Sequence, residues 1–80
     1  MPAKKTTSRS ASIDAIFRQI GGRLRKLRLS KNMVQEDFME FGFTTRHYQR
    51  IEAGAPITIK TALRLCKVFK ISLAELFKGF

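Results

Sequence analysis

Arg46, Gln49 and Arg50 stand within five residues of one another in this 80-residue chain, at i, i+3 and i+4. A guanidinium offers a rigid fork of N–H donors, and a primary amide sets one acceptor beside two donors. Such groups pair best with flat partners that present two hydrogen-bonding atoms in one plane: carboxylates, phosphates and nucleobase edges. On a helical wheel of about 100° per residue, residues 45–53 place Tyr48 and Ile51 on one side, flanked by Thr45 and Glu52. Arg46, Gln49, Arg50 and Ala53 fall opposite, with His47 at the edge. An arginine matches O6 and N7 of guanine, and a glutamine matches N6 and N7 of adenine. The polar face therefore carries the equipment to read bases in a major groove; the plainer alternative is a solvated helix face.

Charge favours a polyanion as the partner. Sixteen Lys and Arg against six Asp and Glu leave a net +10, an excess that draws a protein to nucleic acid or to an anionic surface. Catalytic equipment is missing from the pattern. There are no paired carboxylates in an apolar setting, no Ser-His-Asp grouping and no phosphate loop. His47 and Cys66 are the single histidine and cysteine, too few for a metal centre. The expectation is a protein that is not an enzyme and uses no metal, cofactor or small-molecule ligand. One unpaired cysteine behind an N-terminus with no signal-like apolar stretch predicts a reducing, cytoplasmic setting. No apolar run approaches the ~18 residues that a membrane span needs.

Positioning those side chains falls to a single small domain, since 80 residues allow no more. Residues 1–11 lack apolar periodicity and predict a disordered basic arm with Lys4, Lys5 and Arg9. That arm either tracks DNA or hangs free. The folded domain is expected over residues 12–80. Ser12 is a good N-cap for a helix carrying Ile13, Ile16, Phe17, Ile20, Leu24 and Leu27. Gly21 and Gly22 interrupt it, which leaves either one bent helix or a short helix abutting another. Its upstream stripe either completes the core or serves a dimer contact. A second helix runs from Val34 or Gln35 to Phe41, with Glu36 and Asp37 in its first turn. Gly42 makes the turn, Thr44 caps a third helix over 45–53, and Gly54 stops it. Thr58 caps a fourth over 59–70, and Ser72 a short fifth. The fold class is all-α: a compact five-helix domain with a helix-turn-helix over about 34–53.

These pieces resemble the Cro/repressor-like, or XRE, helix-turn-helix family. The matching segments are GGRLRKLR, the Gln35-Glu36 start of the second helix, Gly42, RHYQRIEAG from Arg46, and TIKTALRLCKVFKISLAELF from Thr58. The likeness spans Gly21 to Phe77, and the order of the segments is more specific than any one of them. It implies a third helix that lies in the major groove. Thr45, Arg46, Gln49 and Arg50 would then contact bases. Gln35, at the start of the second helix, would bond a phosphate and prop a recognition residue. Thr44, His47 and Lys60 would join it on the phosphates. Arg28 and Glu52 match an internal ion pair between the first and third helices. Two departures stand out. Val34 occupies the usual Ser or Thr cap position, and Gln35 to Gly42 is one residue shorter than the family norm. The second helix or its turn must therefore be tighter.

The resemblance implies a sequence-specific transcriptional regulator that binds double-stranded DNA as a homodimer on a two-fold operator. The dimer contact would come from the fourth and fifth helices or from the N-terminal one. The competing class is a protein-interaction adaptor of the same fold that binds nucleic acid only non-specifically.

Overall fold

Ile20 and Leu24 are one helical turn apart, and both are completely buried in the computed structural model of the protein. That model describes the backbone of residues 2–80 and the side chains from Ser12 onward. The side chains of the arm expected over residues 1–11, Lys4, Lys5 and Arg9 among them, lie outside the described residues. Among the described residues five helices follow in order: α1 (Pro2–Ser30), a 3-10 helix (Gln35–Phe41), α2 (Thr45–Glu52), α3 (Ile59–Phe69) and α4 (Leu73–Leu76). Among the described residues there is no strand, so the fold is all-α. No described helix is long and apolar enough to cross a membrane.

Gly21 and Gly22 do not break α1, which runs through both. The reason is contact. A Cβ on Gly21 would sit 2.5 Å from the carbonyl oxygens of both Ile51 and Glu52. Only a glycine lets α1 cross the end of α2 that closely, and this offsets the usual penalty of glycine inside a helix. The upstream stripe divides: Ile20 enters the core, Phe17 packs against it, and Ile13 and Ile16 stay exposed. Asn32, at φ 55°, then closes the helix, with the Met33 N–H donating back to the Arg28 carbonyl at 3.1 Å.

The missing residue between Gln35 and Gly42 is absorbed by helix type. A 3-10 helix turns every three residues instead of 3.6, so Gln35, Phe38 and Phe41 stack along one edge of it. Val34 supplies no cap, but the Asp37 carboxylate accepts its N–H at 2.8 Å, and the first turn is anchored from the other direction. Gly42, at φ 87°, ends the helix in the left-handed region.

Aromatic packing then fixes the two halves of the helix-turn-helix. Phe38 and Tyr48 stack at 3.7 Å between ring centroids and 10° between planes. Phe43, in the turn, meets both edge-on, and Phe69 of α3 leans on Phe38 at 5.7 Å. Three hydroxyl caps set the remaining helix starts: Thr44, Thr58 and Ser72 accept from the N–H groups of His47, Thr61 and Glu75. Arg23 ties the C-terminal end to α1, donating to the carbonyls of Leu76 and Lys78 at 2.8 and 2.7 Å while its guanidinium covers Phe80.

The Tyr48 hydroxyl is buried and has no hydrogen-bond partner; burial raises the phenol far above its ordinary pKa. An unpartnered buried hydroxyl opposes folding by about 1–3 kcal/mol. Tyr48→Phe is accordingly expected to leave the melting temperature unchanged or raise it. A drop of several degrees would show that the hydroxyl bonds the neighbouring Glu52–Arg28 pair.

Candidate nucleic-acid interface

Tyr48 and Ile51 turn inward from α2, and Arg46, His47, Gln49 and Arg50 face solvent. Thr45 is half-buried in the first turn, and Thr44 is exposed with its hydroxyl committed to the His47 N–H at 3.0 Å. The side chains of Arg46 and Arg50 make no hydrogen bond or ion pair with any described residue. Lys60 stands apart from this cluster, exposed in the first turn of α3.

Beneath the exposed face runs a chain of polar contacts that joins three helices. Arg28 donates to Glu52 through Nε at 2.7 Å and Nη2 at 3.1 Å, and its Nη1 donates to the Met33 carbonyl at 3.0 Å. The Gln35 amide donates to Glu52 Oε1 at 3.2 Å. Gln49 in turn donates its amide to Gln35 Oε1 at 3.0 Å.

The chain has a direction, and Glu52 sets it. A carboxylate only accepts, so Gln35 must turn its NH₂ toward Glu52 and its oxygen toward Gln49. Gln49 must answer with its own NH₂. This leaves Gln49 with its carbonyl oxygen and a second N–H toward solvent, the one-acceptor, one-donor pair that an adenine edge requires. Gln35 likewise keeps one N–H for an outside acceptor.

Electrostatically the chain is balanced. Burial pushes the Glu52 carboxyl up, but the bond from Arg28, the Tyr48 hydroxyl beside it and the bond from Gln35 outweigh burial and hold the group below its ordinary pKa. Arg28 is raised by its bond to Glu52. Glu52 is thus ionised and matched by a guanidinium, so the underside of the face does not present a bare anion. Cys66 is buried, its thiol pushed up by burial and by the Glu75 charge, which makes it a small apolar core residue. Among the described residues no three His, Cys, Asp or Glu side chains gather in a way that could hold a metal ion.

Two residues that the motif did not single out belong to this region. Arg25 lines the same cleft as Gln35, Gln49 and Glu52; its spacing of three from Arg28 on a helix was the available signal. Arg64 of α3 donates to the Phe41 carbonyl at 2.8 Å and lies 4.4 Å above the Phe43 ring. It thereby clamps the turn between the 3-10 helix and α2. A contact between positions 41 and 64 leaves no trace in local spacing.

No curated protein and no solved structure matches the chain. The family model for helix-turn-helix domains, HTH_3, matches residues 24–76, from the buried part of α1 through α4. That is well over half of the 80 residues and includes the whole polar chain just described. The protein belongs to the HTH_3, or XRE, helix-turn-helix family of DNA-binding transcription regulators.

Proposed function

We propose that the protein is a cytoplasmic, sequence-specific transcriptional regulator that lays α2 in the major groove and acts as a homodimer on a two-fold operator. The observation that carries this is the directed chain from Arg28 through Glu52 and Gln35 to Gln49. It holds one base-reading amide in a fixed orientation between two exposed guanidinia. A purely electrostatic binder has no use for that order, because phosphates accept hydrogen bonds whichever way an amide points.

In this reading Arg46, Gln49 and Arg50 contact base edges, with Thr45 beside them at the helix start. Gln35 spends its remaining N–H on a phosphate. Thr44, His47 and Lys60 make further phosphate contacts, and Arg25 adds another from α1. Arg28 and Glu52 touch no DNA and serve as the anchor of the chain. Dimerisation brings two copies of α2 into successive major grooves about one helical turn apart.

Selection of bound duplexes from a random library, at near-physiological salt, tests the proposal directly. A two-fold symmetric consensus bound about 10³-fold or more above random sequence is the expected result. Absence of enrichment, with binding that vanishes as salt rises, would reduce the interaction to charge alone. On the selected duplex, Arg46→Ala should weaken binding by about 1–3 kcal/mol and blur preference at a single base pair. An equal loss on every sequence would make Arg46 a phosphate contact instead.

A further inference from the structure

The outward side of α3 is unusual for a surface helix. Ile59 and Leu63, one turn apart, are 60% and 50% exposed. They line a groove with Lys60, Arg64 and Lys67. A second hollow, lined by Phe41, Arg64, Lys67 and Val68, adjoins it between α3 and the 3-10 helix. Arg64 and Lys67 belong to both, so the two form one trough, and Phe41 contributes a further exposed ring. Every charged residue between Glu52 and Glu75 is a lysine or an arginine. The trough therefore sets the apolar side chains of Ile59 and Leu63 beside a row of cations, Lys60, Arg64 and Lys67, with no anion among its lining residues.

We propose that this trough docks an acidic amphipathic helix of a partner protein, with apolar side chains at i, i+3 or i+4, and i+7 on the floor and Asp or Glu against Lys60 and Lys67. The proposal does not use α2 and shares one residue, Lys60, with the phosphate contacts proposed above; Leu63 and Lys67, which the test alters, belong to the trough alone. Charge complementarity selects the occupant. An apolar strip at Ile59 and Leu63 with the cations of Lys60 and Lys67 beside it matches a helix whose apolar stripe is flanked by anions. Dimensions agree, because Ile59 to Lys67 covers about 12 Å of helix axis, the length of a little over two turns.

A second copy of the chain fits poorly. Two α3 helices related by a two-fold axis at Leu63 would bring Ile59 and Lys60 of one copy against Lys67 of the other, ammonium on isoleucine and ammonium on ammonium, between two chains of net +10 each. An anionic bilayer fits poorly for a different reason. The Arg64 guanidinium is held on the Phe41 carbonyl and the Phe43 ring, so it cannot extend toward lipid headgroups as a membrane-binding arginine does.

The test is selection of helical peptides from a randomised display library against the full chain, with binding then measured on variants. Enriched peptides should interleave apolar residues at helical spacing with Asp and Glu. They should bind about tenfold or more weakly to Leu63→Asp and to Lys67→Glu, with Lys67→Arg close to wild type. Both altered side chains are exposed, so thermal melting should confirm that the variants stay folded. In amide NMR spectra the peptide should shift Ile59–Val68 and leave Arg46 and Arg50 in place. A basic or uncharged consensus, equal binding to Leu63→Asp, or shifts centred on α2 would each overturn the proposal. So would failure to enrich any peptide. Leu63-dependent sedimentation with phosphatidylglycerol vesicles would replace the partner helix with a membrane, and Leu63-dependent self-association would replace it with a second copy.

Discussion

Glu52→Ala is expected to destabilise the protein by about 3–5 kcal/mol, the range for removing one partner of a buried ion pair. Arg28 is 8% exposed, and with Glu52 gone its guanidinium keeps one bond, to the Met33 carbonyl. A domain of this size has a total stability of only about 5–15 kcal/mol, so the variant should melt far below wild type, and an unchanged melting temperature would mean the pair is idle. Glu52→Gln preserves the shape and separates the charge from the packing. The Glu52 carboxyl titrates below its ordinary value in the folded state. Its contribution is therefore complete above the unfolded value of about 4.3 and is lost as the pH falls through the folded one. Wild type should lose stability over that acid window, and Glu52→Gln should lose less across it. The same variant should act on recognition. A neutral amide at position 52 no longer forces Gln35 and Gln49 into one orientation, so preference at the base under Gln49 should weaken while affinity for random DNA holds.

The second large effect is a contrast between neighbours. Gly21→Ala is expected to cost about 1–3 kcal/mol through overpacking, because its methyl group would strike the Ile51 and Glu52 carbonyl oxygens at 2.5 Å. Those atoms are backbone and have no rotamer to escape into. Relief requires α1 and α2 to separate, which also moves the end of the helix proposed to enter the groove, so DNA affinity should fall along with stability. Gly22→Ala should do the reverse. Nothing lies within 4 Å of the added carbon, and alanine is favoured over glycine in an exposed helix interior by about 0.8–1.0 kcal/mol. At about 4–8 °C per kcal/mol for a domain of this size, thermal melting should separate the two variants clearly. Shifts of the same sign would refute the close crossing at Gly21.

Much of this molecule can be read from its residues. The caps at Thr44, Thr58 and Ser72 are local chemistry, and the inward turn of Tyr48 and Ile51 follows from a wheel. What escaped is what depends on contact across the chain. Glycine inside a helix looks like an interruption until another backbone is seen pressing on it, as at Gly21. The tightness of the 35–42 segment is plain from its length, but a period of 3 and one of 3.6 differ by little over seven residues, so the 3-10 form was not. Asp37 at the third position reads as a residue suited to the helix dipole, and its bond to the Val34 N–H is a geometric fact. The Gln49–Gln35 contact spans 14 residues and the Arg64 clamp 23; neither spacing has a local signature.

The polar chain also divides α2 into two kinds of position. The side chains of Gln49 and Glu52 are tethered to the rest of the fold, while those of Arg46 and Arg50 bond no described residue. Under the proposed function, exchanging either arginine would alter what the helix recognises without disturbing what holds the helix in place. Target preference would then drift at two sites with almost no effect on foldability, while the tethered pair holds the exposed face of α2 in register. One eight-residue helix keeps its vocabulary and its grammar on separate side chains.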